Sequence, residues 1–126
     1  MSGDDFDVDR FLARFEIEPE GMFRRGEPIP RRAEVYTQSR FWLPVSDRDF
    51  EDFKGQIQDA IAFLSLARWQ PVLEAIAQTP GVEHWLCFGI SRLDVEEFPL
   101  QCDYLPPDLV ALAGRYRVGI AIDHYP

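Results

Sequence analysis

The stretch Trp85-Leu86-Cys87-Phe88-Gly89-Ile90 decides the fold, and the Pro80-Gly81 turn signal precedes it. All of its residues are apolar or small. A run of this length is too short for a globular helix and is typical of a strand that is buried on both faces. Such a strand needs neighbouring strands and a covering layer, so we expect the other segments to pack around it.

Helices are predicted on both sides of this strand from the spacing of apolar residues. The first has apolar residues at Val8, Phe11, Leu12 and Phe15, after an aspartate-rich start. The strongest begins with a capping box, Ser46 and Asp49, and continues with the stripe Phe50, Phe53, Ile57, Ile61 and Leu64. Two shorter helices are predicted, one from Pro71 to Thr79 and one from Pro106-Pro107-Asp108 to Gly114.

Three further segments have the character of strands. Residues 34–43 are rich in β-forming residues, and residues 116–123 alternate with a period of two. Residues 98–104 alternate loosely around a proline, which favours an edge position or irregular structure after a charged turn at 94–97. We therefore predict an α+β fold, with a mainly antiparallel sheet of about four strands and helices packed on one face.

Length and composition indicate one domain over residues 1–126. The chain is 46% apolar and has 10 phenylalanines, which excludes a disordered protein. No apolar run approaches the roughly 20 residues of a membrane span, and the acidic start is unlike a signal peptide. We therefore expect a cytoplasmic protein with no membrane partner.

The formal charge of −9 comes from 22 acidic and 13 basic residues. Because phosphates would be repelled, this balance disfavours nucleic acid as a partner and favours a basic protein. Solubility alone is the simpler explanation of the same charge.

No motif for catalysis or metal binding is recognisable. His84 and His124 fall on the parity of apolar strand residues, where hydrogen-bonded or half-exposed histidines are ordinary. Cys87 and Cys102 are expected to be buried free thiols, and a zinc site from these four residues lacks close paired spacings. Phosphate-binding loops, nucleophile elbows and zinc-protease motifs are absent from the sequence. We therefore predict no enzyme activity, no metal and no cofactor.

A cluster of basic residues gives the candidate binding site. It consists of Arg24, Arg25, Arg31, Arg32 and Arg40, with Trp42 beside them, in a loop predicted over 16–32 and the following strand. Arginine and tryptophan are enriched where protein surfaces bind tightly. Alternatively, these arginines pair with the acidic residues of the chain on a solvated surface, and nucleic acid is a third interpretation.

Several short motifs, in their order and spacing, resemble the bacterial domain-of-unknown-function family 4279. They are Asp-Phe-Asp-Val-Asp at 5–9, Ile-Glu-Pro at 17–19, Arg-Gly-Glu-Pro at 25–28, Trp42, Pro-Pro-Asp-Leu at 106–109 and Ile-Asp-x-Tyr at 122–125. The resemblance implies a small soluble α+β protein and assigns no functional residue. Members of that family usually begin with a strand before the first helix, whereas this chain has only a few acidic residues there. We therefore expect either that the sheet lacks one edge strand or that a partner chain covers the open edge.

Three functions remain open. Small size, acidic charge and the lack of catalytic motifs favour a non-enzymatic protein-binding module, in concrete form an immunity-type inhibitor of a toxin. The alternative is a small-molecule-binding protein or minor enzyme with a pocket between helices and sheet. The third is a subunit that self-associates through a sheet edge.

Overall fold

The structure is a computed structural model that describes residues 2–3, 5–91 and 102–126. In chain order its elements are β1 (Ser2–Gly3), α1 (Val8–Arg14), β2 (Gly21–Phe23), β3 (Ser39–Trp42), α2 (Phe53–Ser65), α3 (Gln70–Ala77), β4 (Trp85–Ser91), α4 (Pro107–Arg115) and β5 (Gly119–Tyr125). They form two compact units: unit 1 comprises Met1–Pro44 and Pro71–His84, and unit 2 comprises Val45–Gln70 and Trp85–Pro126. The predicted α+β class is confirmed, although the described strands number five and lie in two sheets.

Unit 1 is built on an antiparallel sheet with the strand order β1-β3-β2. In this sheet Arg40 of β3 pairs with Phe23 on one side and with Ser2 on the other. The backbone of Ser2 also exchanges hydrogen bonds of 2.9 and 2.8 Å with Glu83. The expectation that a strand before α1 is missing is therefore wrong, because two residues form that strand and Glu83 covers its outer edge.

One face of this sheet carries the core of unit 1. Phe41 is 4% exposed, and the ring centroids of Phe6 and Phe11 lie 6.4 and 6.1 Å from its own. Helix α1 buries the apolar side that its sequence spacing predicts. Its N-terminus is capped by the Asp7 carboxylate, which satisfies a backbone N–H that has no partner within the helix.

Unit 2 is built on a parallel pair of strands. Leu86 of β4 lies opposite Ile120 of β5, and Phe88 lies opposite Ile122. Parallel strands need a long crossover, and the connection between these two contains α4. The mainly antiparallel sheet that the sequence predicts therefore describes unit 1 and not unit 2.

Strand β4 buries one face rather than both. Leu86, Phe88 and Ile90 are at most 8% exposed, whereas Cys87 on the opposite face is exposed. Phe53 of α2 meets Phe88 edge-on, with ring centroids 5.5 Å apart. The prediction of a strand buried on both faces is wrong, because the face opposite Leu86, Phe88 and Ile90 is only partly covered. The predictions of buried thiols are also wrong, because Cys87 and Cys102 are both exposed.

Further boundaries differ from the predictions, and β5 begins at Gly119 rather than at residue 116. Helix α2 begins after Asp52, whose carboxylate accepts a hydrogen bond of 2.8 Å from the backbone N–H of Gly55. Ser46, the predicted cap, instead donates a hydrogen bond of 2.6 Å to Asp59. The strand predicted over 34–43 is regular only from Ser39 onward. The turn predicted at 94–97 and most of the segment predicted at 98–104 lie outside the described residues.

Candidate functional site

The outer face of the unit 1 sheet carries the candidate site. Because successive side chains of a strand point to opposite faces, Phe41 enters the core while Arg40 and Trp42 lie on the other side. Trp42 remains 45% exposed. The two β3 residues of the predicted binding cluster therefore share one solvent-facing side of the sheet.

Two aromatic residues from neighbouring segments complete this face. The rings of Phe23 and Tyr36 stack with centroids 3.9 Å apart and planes 9° apart, and Trp42 lies 6.2 Å from Phe23. The guanidinium carbon of Arg40 lies 5.6 Å from the centre of the Phe23 ring, within cation–π range. We call Phe23, Tyr36, Arg40 and Trp42 the aromatic–arginine surface.

Gly21 fixes the position of the Trp42 ring. The indole lies against the Gly21 backbone, and a Cβ atom added at Gly21 would overlap several ring atoms. Since Gly21 pairs directly with Trp42 in the β2–β3 ladder, the lack of a side chain lets the ring lie across the sheet. The sequence predicts only a loop at Gly21.

Beyond this surface the chain forms a hairpin that carries Arg31 and Arg32. The backbone N–H of Gly26 donates to the carbonyl of Tyr36 at 2.8 Å, and that of Ile29 donates to the carbonyl of Glu34 at 3.0 Å. Residues 30–33, which we call the hairpin tip, are all exposed. The loop predicted over 16–32 is thus a strand followed by one arm of an ordered hairpin.

Arg24 and Arg25 are engaged elsewhere in unit 1. The Arg24 guanidinium donates two hydrogen bonds of 2.7 Å to the Asp9 carboxylate and one of 3.1 Å to Glu27. These contacts hold the pKa of Asp9 below its usual range and raise the pKa of Arg24. A guanidinium nitrogen of Arg25 lies 3.5 Å from a carboxylate oxygen of Asp5. For these two arginines the structure agrees with the alternative interpretation, in which basic residues pair with the acidic residues of the chain.

The structure therefore divides the predicted cluster into three pairs: Arg40 and Trp42 share the sheet face, Arg31 and Arg32 occupy the hairpin tip, and Arg24 and Arg25 form ion pairs. The binding cluster predicted from the sequence does not include Phe23 and Tyr36. Alternation could have found Phe23, because it lies two residues after Gly21 in a short β-forming stretch. Nothing local signals that Tyr36 stacks on Phe23, because that contact depends on the hairpin.

A separate cavity of about 570 Å³ lies in unit 1. Its lining is mainly polar and acidic, and includes Ser2, Asp5, Asp7, Gln38, Thr79 and Glu83. Ser2 donates a hydrogen bond of 2.8 Å to the Gln38 side chain, so part of the wall is held by its own polar contacts. The volume suits a small ligand, whereas ligand pockets are usually more apolar.

Cys87 and His124 of unit 2 each contact an aspartate. The Cys87 thiol donates a hydrogen bond of 3.0 Å to Asp123, and desolvation together with this carboxylate raises the thiol pKa to about 11. His124 lies 3.2 Å from Asp103. Across the described ranges, histidine, cysteine, aspartate and glutamate side chains form no group of three that could hold a metal ion. A thiol that stays protonated at neutral pH is a poor nucleophile.

No protein-family model, curated protein or solved structure matches this chain. Within residues 2–3, 5–91 and 102–126, no single helix is both long and apolar enough to cross a membrane, although α2 and α3 taken together have the necessary length and composition.

Proposed function

We propose that this chain is a non-enzymatic protein-binding module that contacts its partner through the aromatic–arginine surface. One observation carries the proposal: Trp42 is 45% exposed while it lies against Gly21 beside the Phe23–Tyr36 stack. An aromatic ring that is both exposed and held in place loses little conformational entropy when a partner covers it.

The composition of this surface also supports protein binding. Tryptophan, tyrosine and arginine are the residues that most often dominate the binding energy of protein interfaces. Here they occur together on one sheet face, with Arg40 against the Phe23 ring. The concrete form of this function that we propose is an immunity-type inhibitor of a toxin. Membership of the domain-of-unknown-function family 4279 is a separate proposal.

Affinity capture tests the proposal when the bait is varied. Wild-type protein and the Trp42→Ala variant are used to capture proteins from cells that naturally produce the chain. We expect one partner to be captured at a fixed ratio to the wild-type bait. The Trp42→Ala bait should capture at least tenfold less of it, as is usual for a tryptophan at the centre of an interface.

The matched control is Phe50→Ala in unit 2, because Phe50 is 50% exposed, close to the 45% of Trp42, and its ring likewise lies against a glycine, Gly89. This variant should retain the partner fully. Equal loss with both variants, or full retention with Trp42→Ala, would contradict the proposed surface. Urea unfolding of each bait shows that the fold is intact.

A small-molecule site is the second candidate, because the cavity of about 570 Å³ in unit 1 has polar residues in its lining, among them Ser2, Gln38 and Thr79. Val82→Trp places a large side chain on the cavity wall. If a metabolite raises the melting temperature of the wild type and not of this variant, the cavity is a binding site. If no metabolite in a broad panel does so, this candidate loses its support.

A further inference from the structure

The aromatic–arginine surface and the hairpin tip differ in charge. The aromatic–arginine surface has one guanidinium, that of Arg40, which lies against the Phe23 ring. The hairpin tip has two, Arg31 and Arg32, both exposed. Among the described residues neither tip arginine has an ion-pair partner, whereas Arg24 and Arg25 both have one. Of these four arginines, the two without an ion-pair partner in the described part of the chain therefore lie at the hairpin tip.

This local charge opposes the charge of the whole chain. Glu27 shares the Arg24 guanidinium with Asp9. Glu34, which follows the tip, offsets one of the charges of Arg31 and Arg32, which leaves this end of the hairpin with a formal charge of about +1. More distant carboxylates are screened, because the Debye length is about 8 Å at physiological salt. A partner segment that reaches the tip therefore meets positive charge, although the chain carries −9 overall.

The hairpin sets the spacing between the aromatic–arginine surface and the tip. Its backbone hydrogen bonds run from Gly26 with Tyr36 to Ile29 with Glu34. Arg32 lies four residues from Tyr36 along the second arm of the hairpin, a span of at most roughly 13 Å in an extended chain.

On the basis of the proposed function, we infer that the partner segment is an extended acidic peptide. An aromatic or large apolar side chain of this peptide packs on Phe23 and Trp42, and carboxylates about four residues away bind Arg31 and Arg32. The segment is expected to be acidic because carboxylates complement the positive charges of Arg31 and Arg32. A second copy of the chain and single-stranded nucleic acid are the other occupants that the experiment distinguishes.

The test uses labelled peptides of the form Trp, a run of prolines, then three glutamates, titrated against the full chain by fluorescence anisotropy. Prolines keep the spacer extended at about 3.1 Å per residue. We expect the four-proline peptide to bind at least threefold more tightly than the ten-proline peptide. A four-proline peptide ending in three lysines should bind at least tenfold more weakly.

Two variants assign the contributions. Arg31→Gln with Arg32→Gln should weaken the four-proline acidic peptide about fivefold, as expected for two exposed ion pairs, and should remove its advantage over the ten-proline peptide. Trp42→Ala should weaken both acidic peptides alike. Arg115→Gln, an exposed arginine of α4, is the matched control and should change neither.

Three results would overturn the inference. They are equal binding of the glutamate and lysine peptides, an oligothymidine that binds more tightly than either, and a concentration-dependent mass that the double arginine variant abolishes. The last would make a second copy the occupant. If these peptides fail while a captured protein still depends on Trp42, the protein-binding function stands and only the acidic-segment inference falls.

Discussion

Among the described residues, each unit has a stacked aromatic pair that is at least partly exposed, and the two pairs have different surroundings. In unit 1, Phe23 and Tyr36 stack at 3.9 Å with Arg40 over the Phe23 ring. In unit 2, Phe50 and Tyr125 stack at 4.7 Å and 7°. The strand face that carries Tyr125 also carries Asp123, whose carboxylate accepts from Cys87. Similar ring geometry thus occurs in a basic and in an acidic setting, and only the first suits an anionic partner.

The large apolar residues of the two units also have different tasks. In unit 2 the side chains that decide the fold are buried, for example Leu109 with no exposed area and Phe88 with 3%. In unit 1 the tryptophan that follows the buried Phe41 is half exposed. If the proposed function holds, substitutions in the buried core of unit 2 and in the aromatic–arginine surface should affect stability and binding separately, and the predictions below test that separation.

The largest expected effect is on the stability of unit 2. Leu109→Ala removes a fully buried side chain and should lower the free energy of unfolding by about 3 kcal/mol, because lost burial and a residual cavity both contribute. Val110→Ala, at the next position and 51% exposed, should cost less than about 0.5 kcal/mol. Urea unfolding measures both. Equal costs would mean that α4 does not pack as described.

The next effect concerns Gly21, which lies under the Trp42 ring. Gly21→Ala should displace the indole and weaken partner binding about tenfold, although Trp42 itself is unchanged. Gly114→Ala is the control, because a Cβ there meets no other atom within 4 Å. That change should leave binding intact and stabilise α4, since alanine favours helices over glycine. Unaltered binding by Gly21→Ala would break the link between the ring position and function.

A smaller effect is expected at the start of α2. Asp52→Ala removes the carboxylate that caps the helix and should cost about 1 kcal/mol of unfolding free energy. Asp52→Ser keeps an oxygen acceptor and should recover most of the loss. Partner binding by unit 1 should be the same in all three proteins. A binding defect that follows the stability loss would show that the two properties are coupled.

The smallest effect is a dependence on pH. The pKa of Asp9 is lowered mainly by its hydrogen bonds from Arg24, and that of Asp59 mainly by its hydrogen bond from Ser46. Since each folded pKa lies below the ordinary value of 3.8, each carboxylate stabilises the protein above that pH. This contribution is lost as the pH falls through the folded pKa. Urea unfolding of Asp9→Asn and Asp59→Asn should show a shallower loss of stability in acid than the wild type.

Much of unit 2 could be predicted from local sequence. The central strand, the apolar stripe of α2 and the proline-initiated α4 all follow from period and composition. The cap of α2 was misplaced because Ser46 and Asp52 both satisfy the local pattern, and only the tertiary contact between Ser46 and Asp59 separates them. The parallel pairing of β4 and β5 depends on the crossover, which periodicity does not encode.

The candidate site of unit 1 was only partly predictable. Arg40 and Trp42 could be placed on one face because they lie two residues apart on a strand. The ion pair of Arg24 with Asp9 and the stacking of Tyr36 on Phe23 are long-range contacts, which one sequence does not reveal. Proline and glycine spacing indicated a loop, whereas backbone hydrogen bonds between its arms make it a hairpin.

The most direct test follows the indole N–H signals of the three tryptophans by NMR while the captured partner is added. The Trp42 signal is assigned by its loss in Trp42→Ala, and Trp69, which packs 4.9 Å from Phe63, serves as an internal reference. We predict that the Trp42 signal shifts or broadens in proportion to bound partner while the Trp69 signal does not change. A partner that binds and leaves the Trp42 signal unchanged would contradict the assignment of function to the aromatic–arginine surface.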